Sequence, residues 1–352
     1  MTVLDIQAGR TAYDHIQQHG LAPADIAAVF GASGAAKWLV LYGLDSAVFA
    51  GWFKHRTDPL AVFGTSIGAW KLSAAAQVDP QAGFDRLRDG YIHQRYEGEI
   101  TPRKIAFETE RVMSRFLPDN AVRDILSHPF LRVGFSAVRC KGLLASRVKA
   151  LQAAAMWSAF ELNLLSRNLQ TLYLERFFFH DPRFDTGLID MTDFPTRQVA
   201  LTPDNFETAI LASASIPVIM KGVSDIPGAG PGVFRDGGLL DYHPAFPLAP
   251  GRKGLILYPH FYPYIKPGWF DKKLKRRVAK DSLVDRVILI SPSAEFIARL
   301  PGGRIPDRQD FIRFKGRDSK RIKAWETAAQ MSRELGDDFL EAVTTSKIRD
   351  RV

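Results

Sequence analysis

A single cysteine, Cys140, stands in 352 residues, so no internal disulfide can staple the fold. It sits where Ser136-Ala137-Val138 gives way to Arg139 and Lys141, and nothing beside it would activate a thiol. Also absent is any run of roughly 18 apolar residues, which argues against a spanning helix. The first ten residues carry Asp5 and no apolar stretch of the kind found in a secretory leader, so a cytoplasmic location is expected. No internal repeat, low-complexity tract or linker interrupts the chain, and a single domain over 1–352 is expected. The eight histidines lie in no informative local pattern. His15 and His19 could share a helix face, yet no glutamate follows His15 and no third ligand is evident; neither a metal nor another cofactor is expected.

What is present is the composition of a protein with a full core, 46% apolar and 24% charged. Ala8 to Gly20 reads as a helix. Ala24 to Phe30 reads as a buried strand running into the small-residue turn Gly31-Ala32-Ser33-Gly34. Ala35 to Ala50 has helical spacing. Leu60 to Phe63 is a second buried strand, followed by Gly64-Thr65-Ser66-Ile67-Gly68 and a helical stretch from Ala69 to Gln77. Further strands are expected at Leu131–Arg139, Glu175–His180, Gln198–Leu201, Val233–Arg235, Leu255–Tyr258 and Val287–Ile290, with helices at Lys149–Leu172, Asn205–Ser215 and Ser319–Val343. The alternation predicts an α/β fold with a mostly parallel central sheet covered by helices.

Two turns carry chemistry. Gly64-Thr65-Ser66-Ile67-Gly68 fits Gly-x-Ser-x-Gly, in which a strained strand-to-helix turn exposes the serine hydroxyl and the glycines let the turn close. The first amides of the following helix, beginning at Ile67, can stabilise an oxyanion. The pattern is short enough to arise by chance, and its context between an apolar run and an alanine-rich helix carries the assignment. The earlier turn, Gly31 to Gly34, also joins strand to helix and would lie beside Ser66 if the strands are neighbours. It is no nucleotide loop: Ala36 precedes Lys37, Trp38 stands where the magnesium-binding hydroxyl belongs, and Gly-x-Gly is missing. A base for Ser66 is offered by Asp236, at a strand end with Gly237 and Gly238 behind it; partial burial would raise its pKa.

These elements together resemble the patatin-like phospholipase family. The glycine-containing first turn, Gly-Thr-Ser-Ile-Gly and Asp236-Gly237-Gly238 stand in that family's order. Ala212-Ser213-Ala214-Ser215-Ile216-Pro217 is similar to its Ala-Ser-x-x-Ile-Pro segment. The motif-bearing core covers roughly 24–244, with 245–352 completing or extending the fold. The resemblance implies a three-layer α/β/α architecture and a Ser-Asp dyad without histidine. Ser66 would be the nucleophile, Asp236 the base, and Gly31, Ala32, Ser33 and Gly34 the source of oxyanion amides. The implied reaction is hydrolysis of fatty acyl esters, in phospholipid, lysophospholipid or a related lipid, through an acyl-enzyme. Two departures stand out: Ala32 and Ser33 interrupt the glycines of the first turn, and His243 takes a position that is often asparagine.

Two other readings come from the same residues. One is a Ser-His-Asp hydrolase using His243 or His260; the other is a non-catalytic lipid- or protein-binding member of the fold. The net charge of +9 is sharpened late in the chain, where Trp269 and Phe270 precede Lys272, Lys273, Lys275, Arg276 and Arg277. Aromatics beside such cations suit peripheral contact with an anionic membrane, and the alternative is a solvated basic face. No recognised nucleic-acid motif accompanies the charge, so nucleic acid is not an expected partner.

Overall fold

The computed structural model describes residues 2–352. Ten strands make one sheet: β1 (Leu4–Ala8), β2 (Ile26–Gly31), β3 (Leu60–Gly64), β4 (Leu131–Cys140), β5 (Leu174–His180), β6 (Thr196–Ala200), β7 (Val223–Ser224), β8 (Val233–Asp236), β9 (Leu255–Pro259) and β10 (Val287–Pro292). Their order is β1-β10-β9-β2-β3-β4-β5-β6, with β8 on β4 and β7 on β8. The pairings that join β10, β9, β2, β3 and β4 are all parallel and form the centre; β1, β5, β7 and β8 pair antiparallel around it. The central strands are short apolar runs, and all five residues of β3 are buried, as expected for strands covered on both faces.

Helix α1 (Arg10–His19) links β1 to β2. The crossovers β2-β3-β4 advance in one direction along the sheet. Right-handed connections therefore carry α2 (Tyr42–Ser46), α3 (Ile67–Ala75), α4 (Pro80–Ile92), α5 (Pro102–Phe116) and α6 (Ala121–Ser127) to one face. Helix α7 (Lys149–Leu165) follows β4 and α8 (Phe206–Ser213) follows β6. The return from β9 to β10 runs the other way along the sheet, so its helix α9 (Asp281–Val284) lies on the opposite face. There Thr11 of α1 donates to Asp285 at 2.6 Å. The chain closes with α10 (Ala294–Arg299), α11 (Asp310–Arg313), α12 (Asp318–Met331) and α13 (Arg333–Thr344). The result is the three-layer α/β/α arrangement. Among the described residues, no helix is long and apolar enough to cross a membrane.

The structure departs from the sequence reading in several places, among them the helix expected over Lys149–Leu172, which ends at Leu165 and continues as a 3₁₀ segment over Arg167–Leu172. Ala35 to Ala50 is helical, as expected, but changes pitch along its length: a tight 3₁₀ helix over Ala35–Leu41, then α2, then a wide π-helical segment over Ala47–Trp52. The closing helix breaks at Ser332, whose hydroxyl accepts the Gly43 amide at 2.8 Å and so docks the α12–α13 corner on α2. The edge strand β1 was not expected; its five residues carry only a short alternation, and pairing with β10 stabilises it.

The close approach of α3 to β2 and β3 sets the site. A Cβ on Gly68 would stand 2.1 Å from the Gly31 carbonyl oxygen, and one on Gly64 would stand 2.5 Å from the Gly68 carbonyl carbon. These are backbone atoms that cannot move aside, so both positions require glycine. Gly68→Ala should therefore destabilise the fold by about 3 kcal/mol or more in chemical denaturation, far above an exposed-helix alanine substitution.

Candidate active site

Ser66 sits between β3 and α3 with φ 54° and ψ −128°, a conformation L-residues rarely adopt. Its strain is not isolated. Ala35 (φ 51°) and Val218 (φ 66°) also have positive φ, and all three residues line one cavity. Strain gathered at one concave place points to function.

The register of β4 brings Asp236 to Ser66. β4 is ten residues long, and its first half pairs with β3, Gly64 opposite Phe135. On the same edge its second half pairs antiparallel with β8, Asp236 opposite Ala137. The strands β3 and β8 thus meet end to end, two β4 residues apart. The Ser66 hydroxyl donates to Asp236 Oδ2 at 2.9 Å, while Oδ1 accepts the Gly238 amide at 2.7 Å. Gly237 and Gly238 permit this turn: a Cβ at Gly237 would lie 2.1 Å from the Ser136 carbonyl oxygen, and one at Gly238 would lie 2.4 Å from Ser33 Oγ.

Burial pushes the Asp236 carboxyl up to about 6, opposed by the Gly238 amide, the Ser66 hydroxyl and the charges of Lys272 and Arg308. Behind it, buried Arg176 grips Asp241 at 2.7 and 2.9 Å and also bonds Asp193, and Ser136 donates to Asp241 at 3.0 Å. This pins the chain that follows Asp236-Gly237-Gly238 to β4 and β5.

The segment Ala212–Pro217 serves both residues of the pair. Ser213 Oγ accepts the Ser66 amide at 3.0 Å and donates to the Ser136 carbonyl at 2.7 Å. The Ser215 carbonyl accepts the Asp236 amide at 3.0 Å. Sequence reasoning found this segment but could give it no such role, because the partners are distant in the chain.

The first turn supplies fewer donors than expected. The Ser33 amide is committed to the Tyr242 carbonyl at 2.8 Å, and Ser33 Oγ bonds Thr65. Gly31 and Ala32 are buried, and the Gly31 carbonyl accepts the Thr65 amide. The Gly34, Ala35 and Ile67 amides donate to no group among the described residues, and all three residues line cavities shared with Ser66. Lys37 does not reach the Ser66 pair as a free cation; it is salt-bridged to Asp307.

The histidines offer Ser66 no base. The bonding partner of its hydroxyl is Asp236. His243 is buried, its Nδ1 accepts the Lys266 amide at 2.9 Å, and burial holds its pKa well below normal. His260 Nδ1 accepts the Tyr262 amide at 2.9 Å, and burial lowers the ring to about 3. Neither ring bonds Ser66 among the described residues.

Two cavities meet at Ala35, Ser66, Ile216, Ile219 and Arg308. One, of about 410 Å³, is walled by apolar groups such as Trp70, Ile105, Val112, Met220 and Phe311. The other, of about 590 Å³, is also walled by apolar groups such as Met156, Phe160, Ile216, Leu239 and Phe270, but it holds Asp236 and carries Lys37, Lys272, Lys273 and Arg308 in its lining. Lys272 points its ammonium at the Tyr242 ring, 3.9 Å from the centroid, and burial lowers it to about 7. Arg308 escaped the sequence reading, since it lies far beyond the motifs with no pattern around it. Phe270 is buried, so the expected membrane contact is corrected for that residue; Trp269 is half-buried in the cavity wall.

No protein-family model and no curated protein matches the chain. Solved structures similar to it include human GIVD cytosolic phospholipase A2, at 11% identity and TM-score 0.41 over 99% of this chain and 66% of that one. VipD from Legionella pneumophila is similar at 13% identity and TM-score 0.30, over 73% of this chain and 53% of that one. The chain thus spans just under two thirds and about half of these longer proteins.

Two stability outcomes follow from the geometry. Ser66→Gly should be more stable than Ser66→Ala by about 1–2 kcal/mol in urea denaturation, because only glycine relieves the positive φ. Asp236 has a folded pKa above its unfolded value, so the folded state holds its proton longer and stability falls as pH rises from about 4 to about 6. Asp236→Asn should then match the parent below pH about 4 and exceed it at pH 8 by up to about 3 kcal/mol.

Proposed function

We propose that the chain is a serine acyl hydrolase in which Ser66 is the nucleophile and Asp236 its base. The 2.9 Å hydrogen bond from the strained Ser66 hydroxyl to a buried carboxylate carries this reading. Asp236 Oδ2 takes the proton as Ser66 Oγ attacks the ester carbonyl carbon. A carboxyl raised to about 6 is a stronger base than a free aspartate and is still mostly ionised at neutral pH. The oxyanion of the tetrahedral intermediate is received by the uncommitted amides of Gly34, Ala35 and Ile67. As the C–O bond breaks, protonated Asp236 gives its proton to the leaving alkoxide and an acyl-Ser66 ester remains. Water then attacks that ester, its proton passing to Asp236 and onward to Ser66 Oγ as the carboxylic acid departs.

The cavities suggest the substrate. An acyl chain suits the apolar walls of either cavity, beside Ile67 and Trp70 in one and Met156 and Phe160 in the other, and the ester's polar part suits the end of the second that carries Lys272, Lys273 and Arg308. A fatty acyl ester with a negatively charged polar portion, as in a phospholipid or lysophospholipid, fits both.

Ser66→Ala and Asp236→Asn should each lower kcat/KM on a chromogenic acyl ester by about 10³-fold or more. For the parent, kcat/KM should rise with pH through an apparent pKa near 6, as Asp236 ionises, and stay high above it. Lys272→Met should move that limb upward, because the ammonium favours the ionised carboxyl. An Asp236→Asn protein within a few-fold of the parent would remove the dyad.

A further inference from the structure

Helix α7 is built inside out. Its buried stripe is Gln152, Ala155, Ala159 and Asn163, small or polar groups, while Leu151, Trp157, Leu164 and Leu165 face solvent. Trp157 is 67% exposed and Leu165 is 77% exposed, unusual for side chains of this size. The flanking turns add Leu143, Val148 and Leu172, also exposed. These seven lie within residues 143–172 and are more than half of the thirteen large apolar side chains exposed among the described residues. So dense a group on one surface marks an interaction site.

The helix is held this way round by its polar stripe. Gln152 Oε1 accepts the Val218 amide at 2.9 Å, and Asn163 donates to buried Asp271 at 2.8 Å. Rolling α7 over to bury the leucines would strip both partners of hydrogen bonds.

The basic run is seated on the same helix. Arg277 donates to the carbonyls of Asn163 and Leu164 at 3.0 and 3.3 Å, fixing 271–277 against the C-terminal end of α7. Lys273, Lys275 and Arg276 are exposed there, and Arg147 and Lys149 are exposed at the other end. The apolar face is therefore bracketed by cations at both ends. It is also continuous with the site, since Trp157 lines the cavity that holds Ser66 and Asp236, with Met156 and Phe160 beside it.

We propose that α7 and the 272–277 segment form a docking surface for an anionic lipid bilayer, with the leucines and Trp157 entering the acyl boundary and the cations meeting lipid phosphates. The charge pattern decides for a bilayer over a protein partner: an apolar strip with lysine and arginine at both ends, against the single acid Glu161 within it, matches the acyl and phosphate layers of an anionic membrane. The surface stands without the catalytic reading; only its use as an entrance for acyl substrate rests on that reading.

The test is co-sedimentation of the full chain with phosphatidylcholine vesicles with and without roughly 30% phosphatidylglycerol. Binding is expected to need the anionic lipid and to blue-shift tryptophan emission, with the shift lost in Trp157→Phe. Combining Leu151→Ser, Leu164→Ser and Leu165→Ser should weaken partitioning by about tenfold or more. Lys275→Glu with Arg276→Glu should remove the preference for anionic vesicles. Neither variant should change hydrolysis of a soluble short-chain ester. Equal binding of parent and leucine variant, or no binding by the parent, overturns the proposal. Ser66→Ala protein separates the two ideas: it should bind vesicles as the parent does, so a failed dyad leaves docking intact and failed docking leaves the dyad intact.

Discussion

The site depends on one accident of length: β4 outruns β3. The spare half of its edge is taken by β8 arriving from the opposite direction, so two strand ends face each other across a gap in which only Ser136 of β4 is unpaired by either. Ser66 follows one end and Asp236 is the last residue of the other. Everything else near the site serves to hold that gap. The glycines let α3 and the Asp236 turn press against backbone, Ser213 ties the Ser66 amide to β4, and Arg176 with Asp241 anchors the chain beyond Asp236.

Two local costs are built into this arrangement. Ser66 adopts a conformation worth about 1–3 kcal/mol of strain. Asp236 loses most of its solvent, which disfavours its charge and raises its basicity in the same stroke. Both costs are offset by the packed parallel centre, where the strands are apolar and buried on both faces. Under the proposed function these are the features that chemistry needs, a projecting hydroxyl and a base poised near neutrality. Stability and activity then pull in opposite directions at two residues.

Much of the central sheet was legible because buried parallel strands are short, apolar and closed by turns. Leu60–Gly64, Leu131–Cys140 and Val233–Asp236 fall within a residue of their expected bounds. The pairing of Ser66 with Asp236 could be suspected from the motifs, but their meeting depends on β4's register, which no local pattern encodes. Other features depend on distant partners and left no trace in sequence. Ser33 reads as an oxyanion donor until Tyr242 takes its amide, and Phe270 reads as a membrane-facing aromatic until it is found in a buried cluster with Leu239 and Leu240. Helix α7 is recognisable as a helix from its sequence, but which side faces inward is not; only the packing reveals that Gln152 and Asn163 point inward and Leu151, Leu164 and Leu165 outward.

The central claim is that Asp236 activates Ser66 in the folded protein, and covalent trapping tests it most directly. A fluorophosphonate reacts only with an activated hydroxyl, and the modified peptide can be located by mass spectrometry. A single adduct is expected on Ser66 of the native chain, formed faster as pH rises through about 6 and lost in folded Asp236→Asn protein. An unmodified Ser66 in folded protein, or labelling of Asp236→Asn at the parental rate, would contradict it.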